Sequence, residues 1–115
     1  MITIYGIKNC STVKKALNWL DENGIKYHFS DYKKEGANKE KLRELVKKFG
    51  WQKIANSKGM TWKKLEDNQK PTDEKSAIAI MMEKTSIIKR PIIDDGENQI
   101  IGFDPDEYKK IFKSL

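Results

Sequence analysis

The chain has 115 residues, 37% of them hydrophobic and 35% charged, with a formal net charge of +6. That length suits one domain around one core, and the clustered, periodic apolar residues exclude a disordered chain. The single cysteine excludes an internal disulfide and any cysteine-rich metal site.

A lone thiol suits a reducing compartment. The opening MITIYGIK lacks the charged and apolar regions of a signal peptide, and no run approaches the roughly 20 apolar residues of a membrane helix. A cytoplasmic, monomeric protein with no membrane contact is expected. Basic residues recur as pairs, such as Lys14-Lys15, Lys47-Lys48 and Lys63-Lys64, with acidic residues between them. They read as solvated helix faces rather than a dedicated nucleic-acid surface.

Residues 2–5, ITIY, read as a strand. Val13, Ala16, Leu17 and Leu20 then recur at helical spacing over residues 12–23, with Ser11 or Thr12 as cap and Asn23-Gly24 as stop. Ile25, Tyr27 and Phe29 alternate with polar residues as a second strand. The first thirty residues therefore read as β-α-β with parallel strands. The middle is helical. Leu42, Leu45, Val46 and Phe49 form one stripe, and shorter helices are expected at 51–55 and 61–65 around a Ser57-Lys58-Gly59 loop. Pro71-Thr72-Asp73 opens a further helix to about Glu83, with Ala77, Ile78, Met81 and Met82 facing inward as core. A strand from Arg90-Pro91 to Asp94, a turn at 95–98 and a return strand at 99–103 form a hairpin. Asp104-Pro105-Asp106-Glu107 starts a last helix, whose apolar face is Tyr108, Ile111, Phe112 and Leu115.

The order β-α-β, helical block, β-β-α is that of a thioredoxin-like α/β fold, a mixed sheet with a helical insertion. It implies a single domain, with the core at about 1–35 and 86–115 and the insertion at about 36–85.

Cys10 falls between the first strand and the first helix. A thiol attacks as its thiolate, and a helix N-terminus favours an anion through its free N–H groups and dipole. The sulfur would accept from the N–H groups of Thr12 and Val13, with the hydroxyls of Ser11 and Thr12 close by and Lys8 and Lys14 adding positive charge. The alternative is a structural cysteine at a strand–helix corner. Val13 stands three residues on, so there is no C-x-x-C, and an external thiol would have to resolve any disulfide. In a thioredoxin-like fold Pro91 would be the cis proline beside the cysteine. Arg90 would then hold an oxyanion or a carboxylate, the alternative being a surface arginine. Lys58 is a second candidate anion contact, or a solvated loop lysine. His28, the only histidine, lies on the polar side of its strand without a link to Cys10, which disfavours a Cys-His hydrolase and a metal site.

The segments IYGIKNCSTVKKALNWL, DYKKEG, GWQKIANSKGMTWKKL, IIKRPII and IIGFDPDEY, taken together and in order, resemble the arsenate reductase-like (ArsC) family. Within it they are most similar to the YffB branch, with the transcription regulator Spx as a cousin. The resemblance implies that Cys10 is the reactive cysteine with Arg90-Pro91 beside it. Lys8, Asn9, Ser11, Thr12 and Lys58 complete a substrate or glutathione pocket. It also implies no bound cofactor, glutathione as co-substrate and glutaredoxin as a partner. In the glutathione-dependent reductases of this family three arginines hold arsenate. Arg90 matches one of them; Asn56 stands where another is expected, with Lys58 nearby, and no cation stands around Gly102-Phe103. The histidine preceding the reductase cysteine is replaced near Gly6. The reading is a glutathione-dependent thiol reductase. The alternatives are a glutaredoxin-dependent arsenate reductase proper, a relic that kept the fold without the chemistry, and an Spx-like protein that docks on the RNA polymerase α subunit.

Overall fold

β-Branched and aromatic residues at Ile2–Gly6 form β1, and the helical stripe that follows forms α1 at Ser11–Glu22. The computed structural model describes residues 2–112; Leu115, expected on the last helix, lies outside them. After α1 come β2 (Tyr27–Asp31), α2 (Tyr32–Glu35), α3 (Lys39–Phe49), α4 (Trp51–Ile54), α5 (Met60–Lys63), α6 (Glu74–Glu83), β3 (Ile92–Asp94), β4 (Gln99–Ile101) and α7 (Pro105–Phe112). Short 3-10 turns at Asp67–Gln69 and Thr85–Ile87 were not anticipated, nor was α2. Three or four residues are too few to display a period.

The chain divides into two compact units. The first is Met1–Tyr32 with Arg90–Leu115, and the second is Lys33–Lys89. The first unit carries the four-stranded sheet, in the order β2-β1-β3-β4. β1 runs parallel to β2, as the β-α-β reading requires, and antiparallel to β3. The hairpin joins β3 to β4. Its turn is tied by Asp95, whose Oδ1 accepts from the N–H groups of Glu97 at 2.9 Å and Asn98 at 2.6 Å.

One face of this sheet holds the core of the unit. Ile4 pairs with Ile93 and Ile93 with Ile100, so three buried isoleucines line up across three strands. Ala16 and Leu20 of α1 and Tyr108 and Phe112 of α7 pack into the same cluster. Trp19, Phe103 and Phe112 each meet the Tyr108 ring edge-on, with centroids 5.4, 5.4 and 5.9 Å away. The Tyr108 hydroxyl donates to the Gly102 carbonyl at 2.7 Å, which satisfies its one buried polar atom. Gly102 has φ +88° and ends β4 two residues before the predicted limit.

In the second unit, Asn38 caps α3 by accepting from the Lys41 N–H at 3.0 Å, and Gly50, at φ +87°, closes it. Asp73 caps α6 by accepting from the Ser76 N–H at 2.8 Å. Ala77, Ile78 and Met81 are buried as expected, but Met82 is not. It is 36% exposed, and Ile80 takes a place in the core instead. Met82 follows Ile78 by one turn, and at that level of the helix their shared edge has reached the rim of the buried face.

Replacing Tyr108 by Phe keeps the ring and orphans the Gly102 carbonyl. A loss of about 1–2 kcal/mol is expected in a urea unfolding titration. Leu20→Ala, at a fully buried position, should cost about 2–5 kcal/mol in the same assay.

Candidate active site

β1 ends at Gly6, and residues 7–10 lead from it into α1. Gly6 is the point of closest approach between the two. A Cβ built there would lie 3.0 Å from Val13 Cγ2 and 3.6 Å from Phe29 Cε1. A side chain at this position would crowd Val13 in the first turn of α1. Val13, fully buried, is committed to this contact, so the position where a C-x-x-C motif would carry its second thiol is core.

Cys10, not Ser11 or Thr12, is the cap residue of α1. Its backbone is extended, at φ −137° and ψ 124°, and its carbonyl accepts the first helical bond from the Lys14 N–H at 3.0 Å. The free thiol is half-buried. It makes no capping hydrogen bond of standard geometry, but the ionised sulfur has partners. Burial pushes the thiol up. The N–H groups of Val13 and Thr12 and the Arg90 side chain, by hydrogen bond and by charge, outweigh it and bring Cys10 below its ordinary value of 9.0.

The sheet register delivers Arg90 to this place. Ile92 pairs with Tyr5 in an antiparallel ladder. Pro91 and Arg90 therefore continue past the end of β1, alongside the segment that carries Cys10. The Arg90-Pro91 peptide bond is cis, and the Pro91 carbonyl accepts from the Gly102 N–H at 2.8 Å. Two tyrosines absent from the predicted site flank the arginine's field. Tyr5 of β1 stacks on buried Tyr32 at 6.2 Å, with the rings 17° apart. Burial raises the Tyr32 phenol, Tyr5 adds to this and Arg90 opposes it. The signal for them was the alternation of ITIY, which turns Tyr5 away from the Ile2 and Ile4 face.

The other predicted residues divide by position. Ser11 opens α1 and is exposed, whereas Thr12 is half-buried and contributes its N–H to the sulfur. Lys8 and Asn9 are exposed in the loop before Cys10. Arg90 is a cation that acts on the thiol, as the fold-based reading expects. Lys58 belongs to the second unit, exposed in the turn before α5. In that turn the Gly59 N–H donates to the Asn56 carbonyl at 3.2 Å, and Asn56 packs where a Cβ on Gly59 would stand. Phe103, where a third arginine would stand, lies against Tyr108. His28 is exposed on β2, paired with Thr3.

Cys10 stands at a strand-to-helix turn within reach of the Arg90 side chain, which precedes a cis proline. The ArsC family model covers residues 5–111 of the chain.

The chain belongs to the ArsC family.

Its solved relatives include the YFFB protein, 43% identical with a TM-score of 0.93, covering 96% of this chain and 97% of that one. An arsenate reductase (ArsC) related protein from Brucella melitensis is 42% identical, with a TM-score of 0.75 over 97% of this chain and 94% of its own. An uncharacterized protein of Haemophilus influenzae is 40% identical over 97% of this chain and 99% of its own length. The global transcriptional regulator Spx 1 of Oceanobacillus iheyensis is 23% identical over 96% of this chain and 86% of its own. The glutaredoxin of Archaeoglobus fulgidus shares the fold, with a TM-score of 0.50 at 13% identity over 98% of this chain and 86% of its own. The fold of this ArsC family member is thioredoxin-like. Among its described residues no helix is long and apolar enough to cross a membrane.

Since the folded state depresses the Cys10 pKa, the unfolded chain holds the thiol proton over a window below 9.0 in which the folded chain has lost it. Stability must rise with pH through that window. The stability difference between the parent and Cys10→Ser, measured by urea unfolding, should be flat below the folded pKa. It should grow as pH increases toward 9.0 and level off above it. Arg90→Ala should move the thiolate absorbance titration upward in pH and shrink that difference.

Proposed function

We propose that this ArsC family member is a glutathione-dependent thiol reductase in which Cys10 is the nucleophile. The observation that supports this reading is the convergence of two backbone N–H groups and the Arg90 guanidinium on the one cysteine of the chain. Three donors that lower a thiol pKa against the cost of its burial are the arrangement a thiolate nucleophile requires.

The chemistry is thiol–disulfide exchange. The Cys10 thiolate attacks the glutathione sulfur of a mixed disulfide R–S–S–G. The Cys10–S–S–G bond forms, the RS–SG disulfide bond breaks, and RS⁻ leaves and takes a proton. A second glutathione thiolate then attacks the glutathione sulfur held on Cys10, releasing glutathione disulfide and restoring the Cys10 thiolate. The net reaction turns R–S–S–G and one glutathione thiol into R–SH and glutathione disulfide, so the substrate sulfur is reduced as that one thiol is oxidised. The buried Val13 supplies no internal resolving thiol, so the second step falls to an external one, glutathione or glutaredoxin. Arg90 serves twice: it holds the attacking thiolate, and its planar fork is suited to a glutathione carboxylate. Lys8, Asn9, Ser11 and Thr12 would complete the pocket by their match to the family pattern.

Arsenate is the weaker substrate on physical grounds. Of three guanidinium positions this chain keeps Arg90, and each charge-assisted hydrogen bond lost costs about 1.5–3 kcal/mol. Two losses would weaken a compact dianion by roughly two or more powers of ten. An Spx-like switch built on a C-x-x-C disulfide is foreclosed by Val13.

The deciding experiment exposes parent, Cys10→Ser and Arg90→Ala to glutathione disulfide and follows adduct mass with time. The parent should gain one glutathione rapidly and lose it to added glutathione. Cys10→Ser should gain none, and Arg90→Ala should react at least about tenfold more slowly near neutral pH. A Cys10→Ser protein that reacts at the parent's rate overturns the reading. Arsenate at low millimolar concentration should leave the parent's rate unchanged.

A further inference from the structure

The second unit has a groove of its own, about 690 Å³, between α3 and α6. Lys39, Arg43 and Lys47 of α3 line one wall. They stand four residues apart, so they repeat about every 6 Å along one helix face. Lys75 and Glu74 line the other wall, and Ile78 and Ala79 give an apolar floor. The three α3 cations are exposed. Among the described residues none of them enters an ion pair, whereas Lys41 on the adjoining face pairs with Glu44 at 3.1 Å.

We propose that this groove docks an acidic amphipathic helix of a partner protein. Carboxylates one turn apart on such a helix match the spacing of Lys39, Arg43 and Lys47, and an apolar side chain between them meets Ile78 and Ala79. Glu74 within the lining repels a uniform polyanion and accepts a peptide that carries one basic residue among its acids. The apolar floor gains nothing from a phosphate backbone. The charge pattern and the floor together therefore select a peptide over a nucleic acid. The groove uses no residue of the Cys10 site.

The probe is a fluorescein-labelled helical peptide of about four turns, with Glu at every fourth position on one face, Leu between and one Lys among the acids. Fluorescence anisotropy is read at about 0.15 M salt. Saturable binding is expected, and Arg43→Glu with Lys47→Glu should weaken it at least about tenfold. Ala79→Trp, which fills the floor, should weaken it comparably. Lys63→Glu with Lys64→Glu, an equal charge change on and beside α5, should leave it within about twofold, and none of the variants should shift the Cys10 thiolate titration. Circular dichroism checks folding, and the neutral pair Arg43→Gln with Lys47→Gln replaces the reversed pair should that one unfold. Absence of saturable binding overturns the proposal. So does equal weakening by the control pair, which would mean general attraction to a cationic protein, or displacement of the peptide by a single-stranded oligonucleotide with higher affinity.

Discussion

The pairing of β1 with β3 is the constraint on which the first unit depends. It joins residues some ninety positions apart in the chain, Thr3 to Asp94, Ile4 to Ile93 and Tyr5 to Ile92. One register does two things. It lines Ile4 with Ile93 and Ile100 on the core face, and it carries Arg90 past the end of β1 toward Cys10. A slip of one residue would turn Ile93 off the core face and move Arg90 along the sheet. Packing and chemistry are therefore fixed by the same hydrogen bonds. The hydrophobic core holds the register, and the register holds the guanidinium.

The sulfur's environment shows which physical effect wins. Partial burial alone would make Cys10 a poorer nucleophile, since it disfavours the anion. The backbone N–H groups at the start of α1 favour the anion and need no side chain to do so. Arg90 adds a positive charge beside the sulfur. Gly6 allows this geometry because α1 approaches β1 too closely for a side chain between them. The contact that brings the start of α1 close to the end of β1 also buries Val13, so no second thiol stands at that position.

Most of the fold was legible from local pattern. The period of two in ITIY, the helical stripe through Val13, Ala16 and Leu20, the Asp-Gly turn and the Asp-Pro helix start each leave a local signature. Cys10 was legible by its place between strand and helix. Arg90 was legible through the fold rather than through any neighbour in sequence. What escaped was set by distance through space. Tyr5 and Tyr32 stack because β1 and β2 run parallel, and no spacing rule reports that contact. Met82 reads as inward-facing from its place on the helix beside Met81, and it stands exposed at the rim of that face.

The two units divide the labour of a strongly basic chain. In the first, one cation is held half-buried at a sulfur, where the lower dielectric magnifies its effect on one atom. In the second, several exposed cations repeat along a helix, where each is screened within about 8 Å and acts only in number. A single screened lysine selects nothing, but three in register with an apolar floor distinguish an acidic helix from a diffuse anion. The same residue class thus serves reactivity where it is confined and recognition where it is repeated. The net charge of +6, 23 basic against 17 acidic residues over the whole chain, identifies neither use.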